Sequence, residues 1–184
     1  TDYTSDTEFK EIISTNQTIF KSIGQVYDQN VSDNDEIIVN TSEDILTTPV
    51  VSGFEDITFQ ISEDLDGIDS QFYVDLVNFS NFKNISFTQT ELSSPVPQVN
   101  VINAHGSLSF NDKFSEIFIT PVSEEDLSIE TNTDSVIQIF GEGKNITLDG
   151  NGSSINVSTS NSGSIEIGEN RSVILDAPNA KGDL

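Results

Sequence analysis

From about residue 97 onward the chain repeats one short unit, two apolar residues separated by a single residue. The units are Val99/Val101, Leu108/Phe110, Ile117/Ile119, Leu127/Ile129, Ile137/Ile139, Ile146/Leu148, Ile155/Val157, Ile165/Ile167 and Val173/Leu175. They start 9, 9, 10, 10, 9, 9, 10 and 8 residues apart. A two-residue period is that of a strand with one buried face. Asn, Asp, Gly, Ser and Pro, the residues that turns require, fill the intervals. Upstream, Ile37/Val39, Ile57/Phe59/Ile61, Phe72/Val74/Leu76 and Ile85/Phe87 carry the same signal at looser spacing. The chain is all-β.

Strands at this spacing suit two architectures. An antiparallel β-sandwich joins short strands by hairpins, and Asp149-Gly150-Asn151-Gly152 has the composition of such a turn. A parallel solenoid turns a corner after each strand and stacks like residues above one another. The narrow spread of spacings and the brevity of each unit favour the solenoid. Three consecutive units are expected to make one coil of roughly 28 residues. In that arrangement Ile146, Ile155 and Ile165 point into one core with Leu148, Val157 and Ile167.

The first residues have a different pattern. A strand is expected near Phe9–Ser14, then a helix from about Thr18 to Asp28 with Ile19, Phe20, Ile23 and Val26 inward, capped by Asn16 or Thr18. The expected organisation is one domain over 1–184: a cap strand and helix over 1–34, coils over 35–176, and a tail over 177–184.

Composition removes several classes of function. Against 31 Asp+Glu the chain has 7 Lys+Arg, a net charge of -24. So acidic a chain repels phosphate backbones and anionic lipid, which argues against nucleic-acid partners and membrane insertion. It has no Cys and one His, so neither a disulfide framework nor a zinc-thiolate site can form. No apolar run approaches the ~20 residues of a membrane-spanning helix.

Nine Asn-x-Ser/Thr sequons occur, at Asn16, Asn30, Asn40, Asn78, Asn84, Asn145, Asn151, Asn156 and Asn170. With 17 Asn and 41 Ser+Thr, roughly four would arise by chance. The excess points to a secreted, N-glycosylated protein, although alternation of outward Asn and Thr along strands also generates sequons. The chain opens at Thr1 without a charged-then-apolar leader, which reads as a secreted protein whose signal peptide has been removed.

Lys144-Asn145-Ile146-Thr147-Leu148-Asp149-Gly150-Asn151-Gly152-Ser153-Ser154-Ile155 resembles the coil motif of right-handed parallel β-helix proteins of the pectin-lyase-like type. Thr18–Ile23 followed by Asn34–Val39 is similar to that family's capping helix and first coil strand. The resemblance implies a single-stack right-handed parallel β-helix. It does not carry one activity, because such proteins include polysaccharide lyases and hydrolases, phage tailspikes and bacterial surface and adhesin proteins.

Enzymes of that family work with carboxylates, sometimes a bound calcium, and an Arg or Lys base. The single arginine, Arg171, lies in the turn Glu169–Ser172 and reads as a solvated turn residue. His105, in Asn103-Ala104-His105-Gly106, lacks the Ser and Asp context of a catalytic base. Gly141-Glu142-Gly143 lacks the helix and Lys of a phosphate loop. Most Phe residues lie in strand units and read as core.

The strongest ligand-like cluster is Glu63-Asp64-Leu65-Asp66-Gly67-Ile68-Asp69. Acids spaced around a glycine turn can direct several hard oxygens at one Ca²⁺, and Asp64, Asp66 and Asp69 are the candidate ligands. Asp33–Glu36 and Glu124–Asp126 are weaker versions. The sequence is therefore expected to encode a non-enzymatic, secreted structural or surface protein. It would be a head-to-tail self-associating subunit of an extracellular filament, sheath or layer, or an adhesin stalk. The alternative is a β-helix protein that binds or degrades polysaccharide, with surface glycans as partners.

Overall fold

In a computed structural model, β-strands stack one above another along the chain. The structure describes residues 36–41, 44–45, 50–61, 71–90, 97–131, 135–141, 144–150, 154–158, 164–168 and 172–176, with the strand backbones at 2–3, 10–14 and 25–28. Among these residues all the strand pairings are parallel. Parallel partners cannot be joined by a two-residue hairpin, so each connection must travel round the stack. That excludes the antiparallel sandwich. The chain is an all-β parallel solenoid.

Three sheets form its walls. An eight-stranded sheet contains β2 (Lys10–Ser14), β4 (Glu36–Thr41), β6 (Asp56–Ile61), β9 (Asn84–Gln89), β11 (Gly106–Phe110), β13 (Leu127–Thr131), β15 (Ile146–Gly150) and β17 (Ile165–Ile167). A six-stranded sheet contains β7 (Gln71–Asp75), β10 (Gln98–Ala104), β12 (Glu116–Pro121), β14 (Val136–Phe140), β16 (Ser154–Ser158) and β18 (Ser172–Asp176). A four-stranded sheet contains only β1 (Asp2–Tyr3), β3 (Gln25–Asp28), β5 (Val50–Ser52) and β8 (Phe79–Ser80).

The alternation read from the sequence explains the core. Each apolar unit points two side chains inward, and parallel pairing places like residues in register. Ile37, Ile57, Ile85, Leu108, Ile129 and Leu148 form one column. Beside it run Val39, Phe59, Phe87 and Phe110 on one side and Leu127, Ile146 and Ile165 on the other. All of these are buried. Each such side chain contributes roughly 1.5–3 kcal/mol on leaving water. Across the interior, Ile117, Ile119, Ile137, Ile139 and Val157 line the six-stranded wall.

Ile146, Leu148, Val157 and Ile165 are buried as expected, and Ile167 is partly buried against the core. The side chain of Ile155 lies outside the described residues.

Two expectations are corrected. Alternate units, not every third one, stack in the second half: Leu127 pairs with Ile146, and Ile146 with Ile165. The repeat there is 18–21 residues, because each turn holds two strands, one in each large sheet. Where β6, β7 and β8 occupy three walls, the chain takes 28 residues to return to register on the eight-stranded sheet. Asp149–Gly152 therefore joins strands of different sheets rather than forming a hairpin.

The expected helix cannot run to Asp28. Gln25–Asp28 is a strand paired in parallel with Val50–Ser52. Val26 thus meets Val51, and backbone pairing prevails over the helical spacing of its apolar residues. The rest of that helix, 18–24, lies outside the described residues, as do the sheet-free parts of the 1–34 cap and the tail 177–184. The strand expected near Phe9–Ser14 is β2.

Candidate functional site

The solenoid changes cross-section at one corner. β8 is the last strand of the four-stranded sheet. One turn later, β10 passes directly into β11 through Asn103-Ala104-His105-Gly106, with no third strand between them. Two residues in the left-handed region make so tight a corner possible: Asn103 (φ 54°) and Gly106 (φ 70°). A side chain at Gly106 would also collide with Phe82, since a Cβ there would lie 2.8 Å from Cε2 of that ring.

The lost wall leaves a ledge, and a cleft of about 510 Å³ opens on it. Val77, Phe79, Asn81, Asn103, His105 and Glu125 are among its lining residues. Asp75 braces the corner from the turn before. Its Oδ1 accepts from the Asn103 side-chain amide at 2.7 Å and from the Val77 N–H at 2.9 Å.

His105 is half-buried at this corner and ties two turns together. Its Nδ1 lies 2.9 Å from the Asn103 carbonyl oxygen, and its Nε2 lies 3.0 Å from that of Phe79. Carbonyls only accept, so a neutral imidazole can donate to one of them, whereas a ring with a proton on each nitrogen donates to both. The ring also tilts against Phe82, with centroids 5.3 Å apart. Both nitrogens face backbone carbonyls, and at least one of them donates there in either protonation state. The residue acts as a staple.

Many of the sequence-derived site residues fall outside the described residues. Asp64, Asp66 and Asp69 lie outside the described residues. Among the described residues no group of three or more His, Asp or Glu side chains gathers as a cation site. Arg171 and Glu142-Gly143 also lie outside them. Gly141 is an exposed corner residue with φ 113°.

Of the sequon asparagines, Asn16, Asn30, Asn151 and Asn170 are outside the described residues. Asn78 is half-buried in the turn between β7 and β8. Asn40, Asn84 and Asn156 occupy outward, half-buried strand positions, as alternation dictates.

Two of these amides are bonded within the stack. Asn84 donates to Ser86 Oγ at 2.8 Å and accepts from Ser107 and Ser109 on the next rung. Asn145 donates to Asp126 Oδ1 at 2.7 Å and accepts from the N–H and hydroxyl of Ser164. Asp126, Asn145 and Ser164 therefore form a polar ladder along one corner, one step per turn. A glycan on either asparagine would have to compete with a bond that its side-chain nitrogen already donates.

Most of the described phenylalanines are core residues, as expected. Phe118 and Phe140 lie in strand units but point outward, one residue out of step with the buried Ile117, Ile119 and Ile139. Alternation within Glu116–Thr120 signals this orientation, and residue type alone obscures it.

The chain matches no family model, and comparison with curated proteins and with solved structures gives no significant match. Among the described residues no helix is long and apolar enough to cross a membrane. The parallel ladder and its corner geometry are thus the observations from which function must be argued.

Proposed function

We propose that this chain is a structural segment of a secreted or cell-surface protein, a non-enzymatic β-solenoid that associates with copies of itself. The observation that carries this reading is the continuous parallel ladder, in which one rung after another presents the same classes of residue at the same positions. Such a stack is stiff along its axis, and any strand edge left open by a rung is a template for another chain. The sole histidine is committed to holding a corner, which suits a structural role.

In this proposal the fold is the right-handed, pectin-lyase-like form, and copies meet head to tail. The net charge of -24 opposes the meeting. Salt screens that repulsion, and calcium held by Asp64, Asp66 and Asp69 would reduce it further. Static light scattering across a concentration series tests the reading, with chelator, with millimolar calcium and with high salt. Growth of the scattering mass in calcium or salt is expected. A monomer under all three conditions would leave a solitary domain and remove the assembly reading.

A further inference from the structure

The walls differ in what they show to solvent. On the eight-stranded sheet the outward positions include five carboxylates, Glu36, Asp56, Glu130, Asp149 and Glu166. The six-stranded sheet is different at its centre. Its strand order is β18-β16-β14-β12-β10-β7, so β14 and β12 are the middle pair. Their outward residues are Val136, Gln138 and Phe140 on one strand and Glu116, Phe118 and Thr120 on the other. Only one of the six is charged. Val136 is 38% exposed and Phe140 41%. The Phe118 and Phe140 rings stack across the strands, 6.3 Å apart and 19° from parallel. Ile174, on the edge strand of this sheet, is 63% exposed.

Parallel sheets usually have both faces covered, and grouped exposed apolar side chains mark a contact surface. We infer that the outer face of the six-stranded sheet docks onto the same face of a second copy of this chain, as a two-fold lateral pair. Charge selects this occupant: two molecules of this acidity can approach only where carboxylates are sparse, and the centre of this face is such a place. Symmetry supports it. A two-fold axis in the interface, parallel to the strands and between β12 and β14, sets each Phe118 over the partner's Gln138. The same axis sets each Phe140 over the partner's Thr120, since Phe118 is in register with Gln138. The rings of one copy then fill the diagonal positions left by those of the other, which is the self-complementarity that an isologous contact requires.

Six strands of about five residues span roughly 24 Å by 16 Å, so the contact belongs to the small, reversible class. Because both partners are anionic, it strengthens as salt rises. The inference rests on the self-association proposed above but places one contact on a side wall instead of the ends.

Sedimentation velocity over a concentration series at low and high salt tests it, on the native chain and on Phe140→Lys, Val136→Lys and Val50→Lys. Circular dichroism shows that each variant keeps its strands. Val50 lies on the four-stranded sheet and is 42% exposed. A salt-promoted dimer is expected, weakened about tenfold or more by either substitution on the face and unchanged by Val50→Lys. A dimer indifferent to Phe140→Lys and Val136→Lys would overturn the lateral face and leave end-to-end association standing. A chain that stays monomeric throughout would overturn both. Retention of the monomer on a neutral polysaccharide column, lost with Phe140→Lys, would assign the face to a glycan and also overturn the inference.

Discussion

Phe87 and Phe110 stack ring on ring inside the solenoid, their centroids 4.7 Å apart and their planes within 8°. They occupy equivalent positions on paired strands, and Phe59 extends the column on the other side of Phe87 at 5.5 Å. Such a stack links three turns through side chains as well as backbone. Phe110→Ala removes its end ring from a fully buried site and is expected to cost about 3–5 kcal/mol. Phe140→Ala, on the surface, is expected to cost under about 1 kcal/mol in the monomer. Urea denaturation of both variants measures the contrast, and equal losses would mean that the column is not the core.

Acids placed opposite one another predict a dependence on pH. Glu36 and Asp56 are in register on paired strands. Partial desolvation first, then the charge of Glu36, hold the Asp56 carboxyl above the usual carboxylate range; Glu55 adds to the effect and Lys83 opposes it. A carboxyl raised in the folded state binds its proton more tightly there than in the unfolded chain. The penalty for ionising it is absent below the ordinary carboxylate range and complete above the raised value. Stability therefore falls as pH rises through that window. Asp56→Asn should remove this part of the slope and stabilise the protein at neutral pH, by no more than about 0.5 kcal/mol because solvent screens so exposed a carboxylate. Thermal melts of both proteins from pH 3 to 7 would reveal it, and a variant less stable at pH 7 would contradict it.

The corner at Gly106 predicts a local intolerance. Its left-handed backbone and the Phe82 ring 2.8 Å from a would-be Cβ act together. Gly106→Ala should cost about 1–3 kcal/mol. A midpoint in denaturant equal to that of the native chain would show that the corner and Phe82 yield freely.

Strands were legible in this sequence because a half-buried strand leaves a period of two that needs no tertiary information. Ile117-Phe118-Ile119 even encodes which way Phe118 points. Which strands pair was not legible. Spacings of 9 or 10 residues fit two strands per turn or three, and the choice depends on whether a corner such as Asn103–Gly106 skips a wall. Gln25–Asp28 shows a related ambiguity: a short apolar run fits a helix or a strand until a partner such as Val51 fixes it. The ledge beneath His105 arises from a strand that is not there. No local motif announces such a feature.

For the acidic segment 63–69, the proposal that Asp64, Asp66 and Asp69 hold calcium predicts a thermal midpoint that rises in millimolar calcium and falls with chelator. Clustered carboxylates repel one another, and a divalent cation removes that cost. Asp66→Asn should abolish most of the rise. A midpoint indifferent to calcium would leave an acidic segment and no cation site.

The register of the stack underlies the ladder, the ledge and the lateral face, and a chain with no cysteine of its own allows a direct test. Ser128 and Thr147 are exposed, outward-facing partners on β13 and β15. In a coil of three strand units Ser128 would instead meet Asn156, which lies in the other large sheet. Paired strands bring Cα atoms to about 5 Å, within the range a disulfide spans. The measurement is the extent of intramolecular disulfide formation under mild oxidation in two double variants, Ser128→Cys/Thr147→Cys and Ser128→Cys/Asn156→Cys. Near-complete closure of the first pair and none of the second is the predicted result; closure of the second pair with the first left reduced would contradict the two-strand turn.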